Sequence, residues 1–169
     1  MTLNRLLPAI ALLACSGAHA TDVTLNVVGN IYDTTCQVDS TSRNMVVSLG
    51  QAISSEFKSV GDTGPWKNFD LTLSNCPPSL MLATVTVNGQ PDAIHPNKFA
   101  NTGTSKGLAL ELADRTDSIT LAPQSSFNAV IDSTTHTADF PFSARYYTTS
   151  TPVSAGSFAS VVQATFTYQ

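Results

Sequence analysis

Residues 153–169 read VSAGSFASVVQATFTYQ. Every second residue back from Tyr168 gives Phe166, Ala164, Val162, Ser160, Phe158 and Gly156, a mostly apolar row. Thr167, Thr165, Gln163, Val161 and Ala159 form the row between. A period of two is the mark of a half-buried β-strand. Such a run at the end of a sequence is ordinarily an outer member of a sheet. Residues 21–36, TDVTLNVVGNIYDTTC, repeat the pattern near the other end. Val23, Leu25, Val27, Gly29 and Ile31 form one row, and Thr24, Asn26, Val28 and Asn30 the other. No hairpin turn precedes this run, which leaves open what it pairs with.

The first twenty residues, MTLNRLLPAIALLACSGAHA, have one charge, Arg5, then an apolar run from Leu6 to Ala14, and close on Ala18-His19-Ala20. A charged start, a short apolar centre and an A-x-A end predict a secretory signal peptide, residues 1–20, cut after Ala20. The apolar run is shorter than the ~20 residues of a membrane-spanning helix. A second reading stays open: Cys15 follows Leu12-Leu13-Ala14, which is near a lipoprotein signal with a lipidated cysteine. Cleavage after Ala20 leaves two of the three cysteines, Cys36 and Cys76. Two cysteines in an exported chain predict one disulfide. Closing about 40 residues, it is worth about 3–4 kcal/mol in the chain-entropy account. Two free thiols would suit a reducing compartment instead.

Cleavage also leaves seven basic residues against twelve acidic ones, a net charge of −5. That balance offers no footprint for nucleic acid or an anionic membrane. The 169 residues suit one folded domain. Beyond residue 20 the apolar spacing is mostly two, in runs rich in Thr, Val, Ile and Phe. Strands are expected at 31–38, 45–49, 69–76 and 81–89, the last stopping at an Asn88-Gly89 tight turn. Others are expected at 108–114, 126–131, 138–147 and 158–168, with Pro141 marking an edge or a bulge. Loops are expected at 54–65, 90–106 and 148–156. The pattern predicts an all-β, immunoglobulin-like sandwich without fixing its topology.

Several segments resemble subunits of chaperone–usher pili, nearest to the minor, adaptor-type subunits of type 1 pili. They are DVTLNVVGNIYDTTCQVD (22–39), WKNFDLTLSNCP (66–77), LALELAD (108–114), DFPFSARYY (139–147) and the closing run. The family places a glycine fourteen residues from the end and an aromatic residue in the penultimate position. Gly156 and Tyr168 match. The resemblance implies an incomplete immunoglobulin-like sandwich, residues 34–169, that lacks its final strand and has a donor extension at 21–33. Val23, Leu25, Val27, Gly29 and Ile31 would fill a neighbouring subunit's groove. Gly29 would sit where the groove is shallow, or else mark a bulge. Gly156, Phe158, Val162, Ala164, Phe166 and Tyr168 would line this chain's own groove. A periplasmic chaperone would occupy that groove first, anchoring the carboxylate of Gln169, and an outer-membrane usher would exchange it for a donor strand. The destination would be the cell-surface fimbrium.

Catalytic patterns are not evident. His95 and His136 lie in no metal-spacing motif, there is no G-x-S-x-G elbow and no phosphate loop, and no cofactor, metal or small-molecule substrate is implied. Asp114 and Asp117 beside Arg115 read as solvated turn residues. Trp66, Tyr146 and Tyr147 suggest the alternative of a sugar-stacking platform on a single-domain adhesin at a pilus tip.

Overall fold

The computed structural model describes residues 28–29, 35–115 and 119–169. The chain divides into two compact units, Met1–Ile31 and Tyr32–Gln169. Of the first, only Val28 and Gly29 are described, in no regular element. Apart from these two residues the run read as a strand at 21–31 lies outside the described residues, as do residues 31–34 of the strand expected at 31–38, of which Gln37–Val38 is observed.

The described residues of the second unit form nine strands: β1 (Gln37–Val38), β2 (Lys67–Ser74), β3 (Leu82–Gly89), β4 (Phe99–Ala100), β5 (Leu108–Asp114), β6 (Ile119–Leu121), β7 (Ser126–Val130), β8 (Ala138–Thr148) and β9 (Val162–Tyr168). A short helix, α1 (Ser40–Arg43), and a 3-10 turn at Ser54–Glu56 are the other regular elements among the described residues. The strands form two sheets. One runs β1-β2-β8-β5-β4, with β6 also paired to β5, and the other runs β7-β3-β9. All the ladders are antiparallel. This is the expected all-β, immunoglobulin-like sandwich.

The core forms where the inward rows meet. Ala83, Val85 and Val87 of β3 are buried beneath Leu73, Leu112, Phe140 and Phe142 of the first sheet. Phe127 of β7 reaches across edge-on to Phe140 and Phe142, with ring centres 5.5 and 5.1 Å away. Such edge-to-face pairs add to the stabilisation that burial alone gives. The disulfide between Cys36 and Cys76 is present, its Cα atoms 4.1 Å apart, just outside the β1–β2 pair.

Four local expectations need correction. Pro141 lies neither at an edge nor in a bulge, because β8 is central, between β2 and β5. Its carbonyl accepts the Arg115 N–H at 2.9 Å, just past the last residue of β5. The missing Pro141 N–H points the same way, beyond the ladder, so no sheet bond is lost. Asn88-Gly89 makes no tight turn: both residues stay in β3, opposite Gln163 and Val162. A Cβ on Gly89 would fall 2.7 Å from Phe99 Cδ1 and 2.8 Å from the Val161 carbonyl oxygen. The glycine answers crowding rather than a turn. Asp114 is buried within β5 and not solvated, while Arg115 pairs with Asp70. Residues 45–49 alternate in exposure as a strand would, yet they have no ladder partner among the described residues.

Candidate functional site: an open groove beside the last strand

Strand β9 is where the sandwich is left open. On one side it pairs with β3, from Ala83 opposite Tyr168 to Gly89 opposite Val162. On the other side it has no ladder partner among the described residues. Its inward row, Val162, Ala164, Phe166 and Tyr168, packs against the core but is only half-buried. Opposite the last three, Ala83, Val85 and Val87 of β3 are 0–1% exposed. The difference arises because β9 looks into a groove of about 1670 Å³.

The groove is built from three parts of the second unit. The C-terminal run from Gly156 to Phe166 lines it. Leu108, Leu110, Leu112, Phe142, Ala144 and Tyr146 of the first sheet line it too, and so does the ladderless segment 44–52. Among the described residues that line it, Arg43 is the one that is charged. Tyr146 braces the ladderless segment, donating its hydroxyl to the Gly50 carbonyl at 2.9 Å. Its ring meets Phe57 and Phe158 edge-on. Burial pushes the Tyr146 and Tyr168 phenols up from their usual range, so neither adds charge to the groove near neutral pH.

The strand expected over 158–168 begins only at Val162. Residues upstream are held by side-chain and backbone bonds to the 101–105 loop instead. Asn101 Oδ1 accepts the N–H groups of Gly103 and Ala159, and its amide donates to Ser105. Thr102 donates its N–H to the Ala159 carbonyl, and Ser157 bonds both Thr104 and Ser105. This loop comes so close that a Cβ on Gly156, whose φ is +156°, would fall 2.5 Å from Ser105 N. That explains the glycine at this position. Gly156, Phe158, Val162, Ala164 and Phe166 therefore all line the groove, and Tyr168 continues their row at the end of β9. Val23, Leu25, Val27 and Ile31 lie outside the described residues.

The three aromatic residues read as a sugar platform do not share one face. Successive residues of a strand face opposite ways, so Tyr146 faces the groove while Tyr147 sits outside beside His95 and Lys98. Trp66 lies over the Arg145 guanidinium, 4.0 Å from the ring centre. Beneath it the sequence had given no warning of a buried ionic cluster. Glu111 bonds Lys98 Nζ at 2.8 Å and also Arg145 Nε. Burial pushes the Glu111 carboxyl up, but the hydrogen bonds and charges of Lys98 and Arg145 outweigh it and hold it below the usual range. A glutamate inside the apolar run LALELAD was the available signal. Among the described residues no group of three or more His, Cys, Asp or Glu side chains could hold a metal ion. No described helix is long and apolar enough to cross a membrane.

An immunoglobulin-like sandwich with one open side, bordered by a last strand with one edge unpaired among the described residues, is the class this geometry defines. The chain belongs to the fimbrial protein family: the family described as "Fimbrial protein" matches residues 25–169. The S-fimbrial adhesin protein SfaS of Escherichia coli O6:K15:H31 (strain 536 / UPEC) is 32% identical over 99% of each chain. Protein FimG of Escherichia coli K12 is 31% identical over 96% of this chain and 94% of its own length. The P pilus rod subunit PapA shares the fold, with a TM-score of 0.67 at 19% identity over 79% of this chain and 99% of that one. The resemblance to pilus subunits read from the sequence is thereby shown.

Proposed function

We propose that this chain is a structural subunit of a chaperone–usher pilus and joins its neighbours head to tail by donor-strand exchange. Residues 1–20 direct export and are removed, residues 21–33 are the donor extension, and residues 34–169 are the body that accepts a strand. The observation that supports this most is the half-buried inward row of β9 beside an apolar groove, with one backbone edge unpaired among the described residues. An open edge over exposed apolar surface invites another strand. An extended segment adding its own ladder there is a recurrent recognition mode.

In this reading Val23, Leu25, Val27, Gly29 and Ile31 enter the groove of the next copy or a related subunit. The contact joins unlike surfaces, so repeating it builds an open filament. A periplasmic chaperone covers the groove before assembly, and an outer-membrane usher exchanges it for the donor strand. The filament is displayed on the cell surface and supports adhesion, in keeping with the name of SfaS. The relatives are fimbrial proteins rather than enzymes, which supports a chain without catalytic activity, small-molecule substrate or nucleic-acid partner.

The test uses a mature chain lacking residues 21–33 and a synthetic peptide of those thirteen residues. A ligand at a hundred times its Kd stabilises the folded state by about 2.7 kcal/mol. For a domain of this size that raises Tm by about 5–10 °C. A melting temperature indifferent to saturating peptide would overturn the proposal.

A further inference from the structure

The outward face of the β7-β3-β9 sheet is uncharged and tied together by side chains. Thr84 Oγ1 donates to Asn128 Oδ1 at 2.7 Å, and the hydroxyls of Thr86 and Ser126 lie 2.8 Å apart. Both pairs bridge β3 and β7 directly across the ladder. Strand β9 presents the same chemistry with nothing beyond it. Gln163, Thr165 and Thr167 face outward and make no side-chain hydrogen bond among the described residues. One residue departs from that row, Val161, which is 69% exposed.

Residues 24–30 have a matching outward row: Thr24, Asn26, Val28 and Asn30, again polar with one valine. All ladders among the described residues are antiparallel, so an added strand is laid antiparallel to β9. One register then sets Val28 opposite Val161, Asn26 opposite Gln163 and Thr24 opposite Thr165. The inward row follows with no further choice. Leu25 meets Ala164, a large side chain over a small one, and Gly29 meets Ser160. Register slips that keep the inward row inward come in steps of two. One such slip sets Asn30 against Val161 and Leu25 against Phe166. The other sets Asn26 against Val161 and Gly29 against Phe158. Each sets an asparagine opposite the exposed Val161, whereas the first register sets Val28 there and moves Asn30 opposite Ala159, upstream of β9.

We infer that Gln163 and Thr165 on the outward face of β9, with Val161 just before it, read Asn26, Thr24 and Val28 of a second copy, and so fix the register in which that strand seats. This rests on the donor-strand reading above. It adds that selection operates on the solvent side of the completed sheet as well as inside the groove.

Cysteine pairing between full mature chains tests it. Opposed residues in an antiparallel pair have Cβ atoms about 4.5–5.5 Å apart, whereas diagonal neighbours are about 7–8 Å apart. Only the opposed spacing is near disulfide reach. Chains with Val28→Cys are mixed with chains with Val161→Cys. Assembly is followed by light scattering, and cross-links by non-reducing gel after mild oxidation. The inferred register gives a reducible heterodimer for this mixture, and for Asn26→Cys with Gln163→Cys, which guards against one variant misfolding. Asn26→Cys or Asn30→Cys mixed with Val161→Cys stays monomeric on the gel. Assembly with cross-links only in these slipped mixtures, or in none, overturns the register while leaving the donor strand standing. Wild-type chains that never assemble remove both.

Discussion

Replacing Ala164 by leucine is expected to stabilise the isolated chain and impair its acceptance of a strand. Ala164 sits mid-row on β9, opposite Val87, and its side chain faces the groove. Leucine adds three carbons. Fully buried, each is worth about 0.8 kcal/mol. The groove is open, so roughly half of that burial is realised, a gain of about 1 kcal/mol and a rise in Tm of about 2–4 °C. In an occupied groove the same carbons must fit beneath the incoming strand. Overpacking of that kind costs about 1–3 kcal/mol, which weakens binding about 5- to 150-fold. Thermal unfolding of the chain lacking residues 21–33, with and without the donor peptide, measures both effects. Core substitutions rarely raise stability while removing a function, so the combination is diagnostic. A fall in Tm without peptide would mean that no room exists beside Ala164. Undiminished peptide binding would mean that the strand seats elsewhere. Either result refutes the reasoning.

Two further outcomes follow from the body of the fold. Glu111→Ala leaves Lys98, whose side chain is 6% exposed, without its counter-charge; losing one partner of a buried pair costs about 3–5 kcal/mol, so Tm is expected to drop by on the order of 10 °C. The same carboxyl, held below its usual range, contributes stability that is present above its unfolded pKa of about 4.3 and is lost as pH falls through the folded value. Denaturant titrations at pH 7 and pH 3 will show a smaller acid loss in Glu111→Gln than in the wild type. The Cys36→Ser, Cys76→Ser double variant loses the 40-residue closure, an expected cost of about 3–4 kcal/mol seen as a lower denaturation midpoint; an unchanged midpoint would contradict it.

Alternation made the long strands legible because each has one face on the core. Phe69, Leu71 and Leu73, then Ala83, Val85 and Val87, could be read directly. Segment 45–49 has the same alternation but not the ladder, because periodicity reports a buried face and not a hydrogen-bonded neighbour. Strands β4 and β6 were illegible: two and three residues are too short to show a period. Asn88-Gly89 misled because a glycine needed for close approach looks like one needed for a turn. At the groove, the inward row of β9 could be read from sequence. The hold of Asn101 and Ser157 on its upstream half could not, since it joins residues far apart in the chain. The Lys98–Glu111–Arg145 cluster was hidden because its partners come from three strands or their flanks.

The position of the disulfide decides how the body would bear tension. Strand β1 is held by only two ladder positions, Gln37 opposite Ser74 and Val38 opposite Leu73. A pull arriving along the backbone from the N-terminal side would peel so short a strand away one bond at a time. It first meets Cys36, whose covalent link to Cys76 diverts the load to the end of β2. Strand β2 is matched to β8 at seven positions, so the load falls on a long ladder rather than on a two-residue one. A filament pulled through its subunit joints would thus strain a covalent bond and a long ladder before it opened any single body.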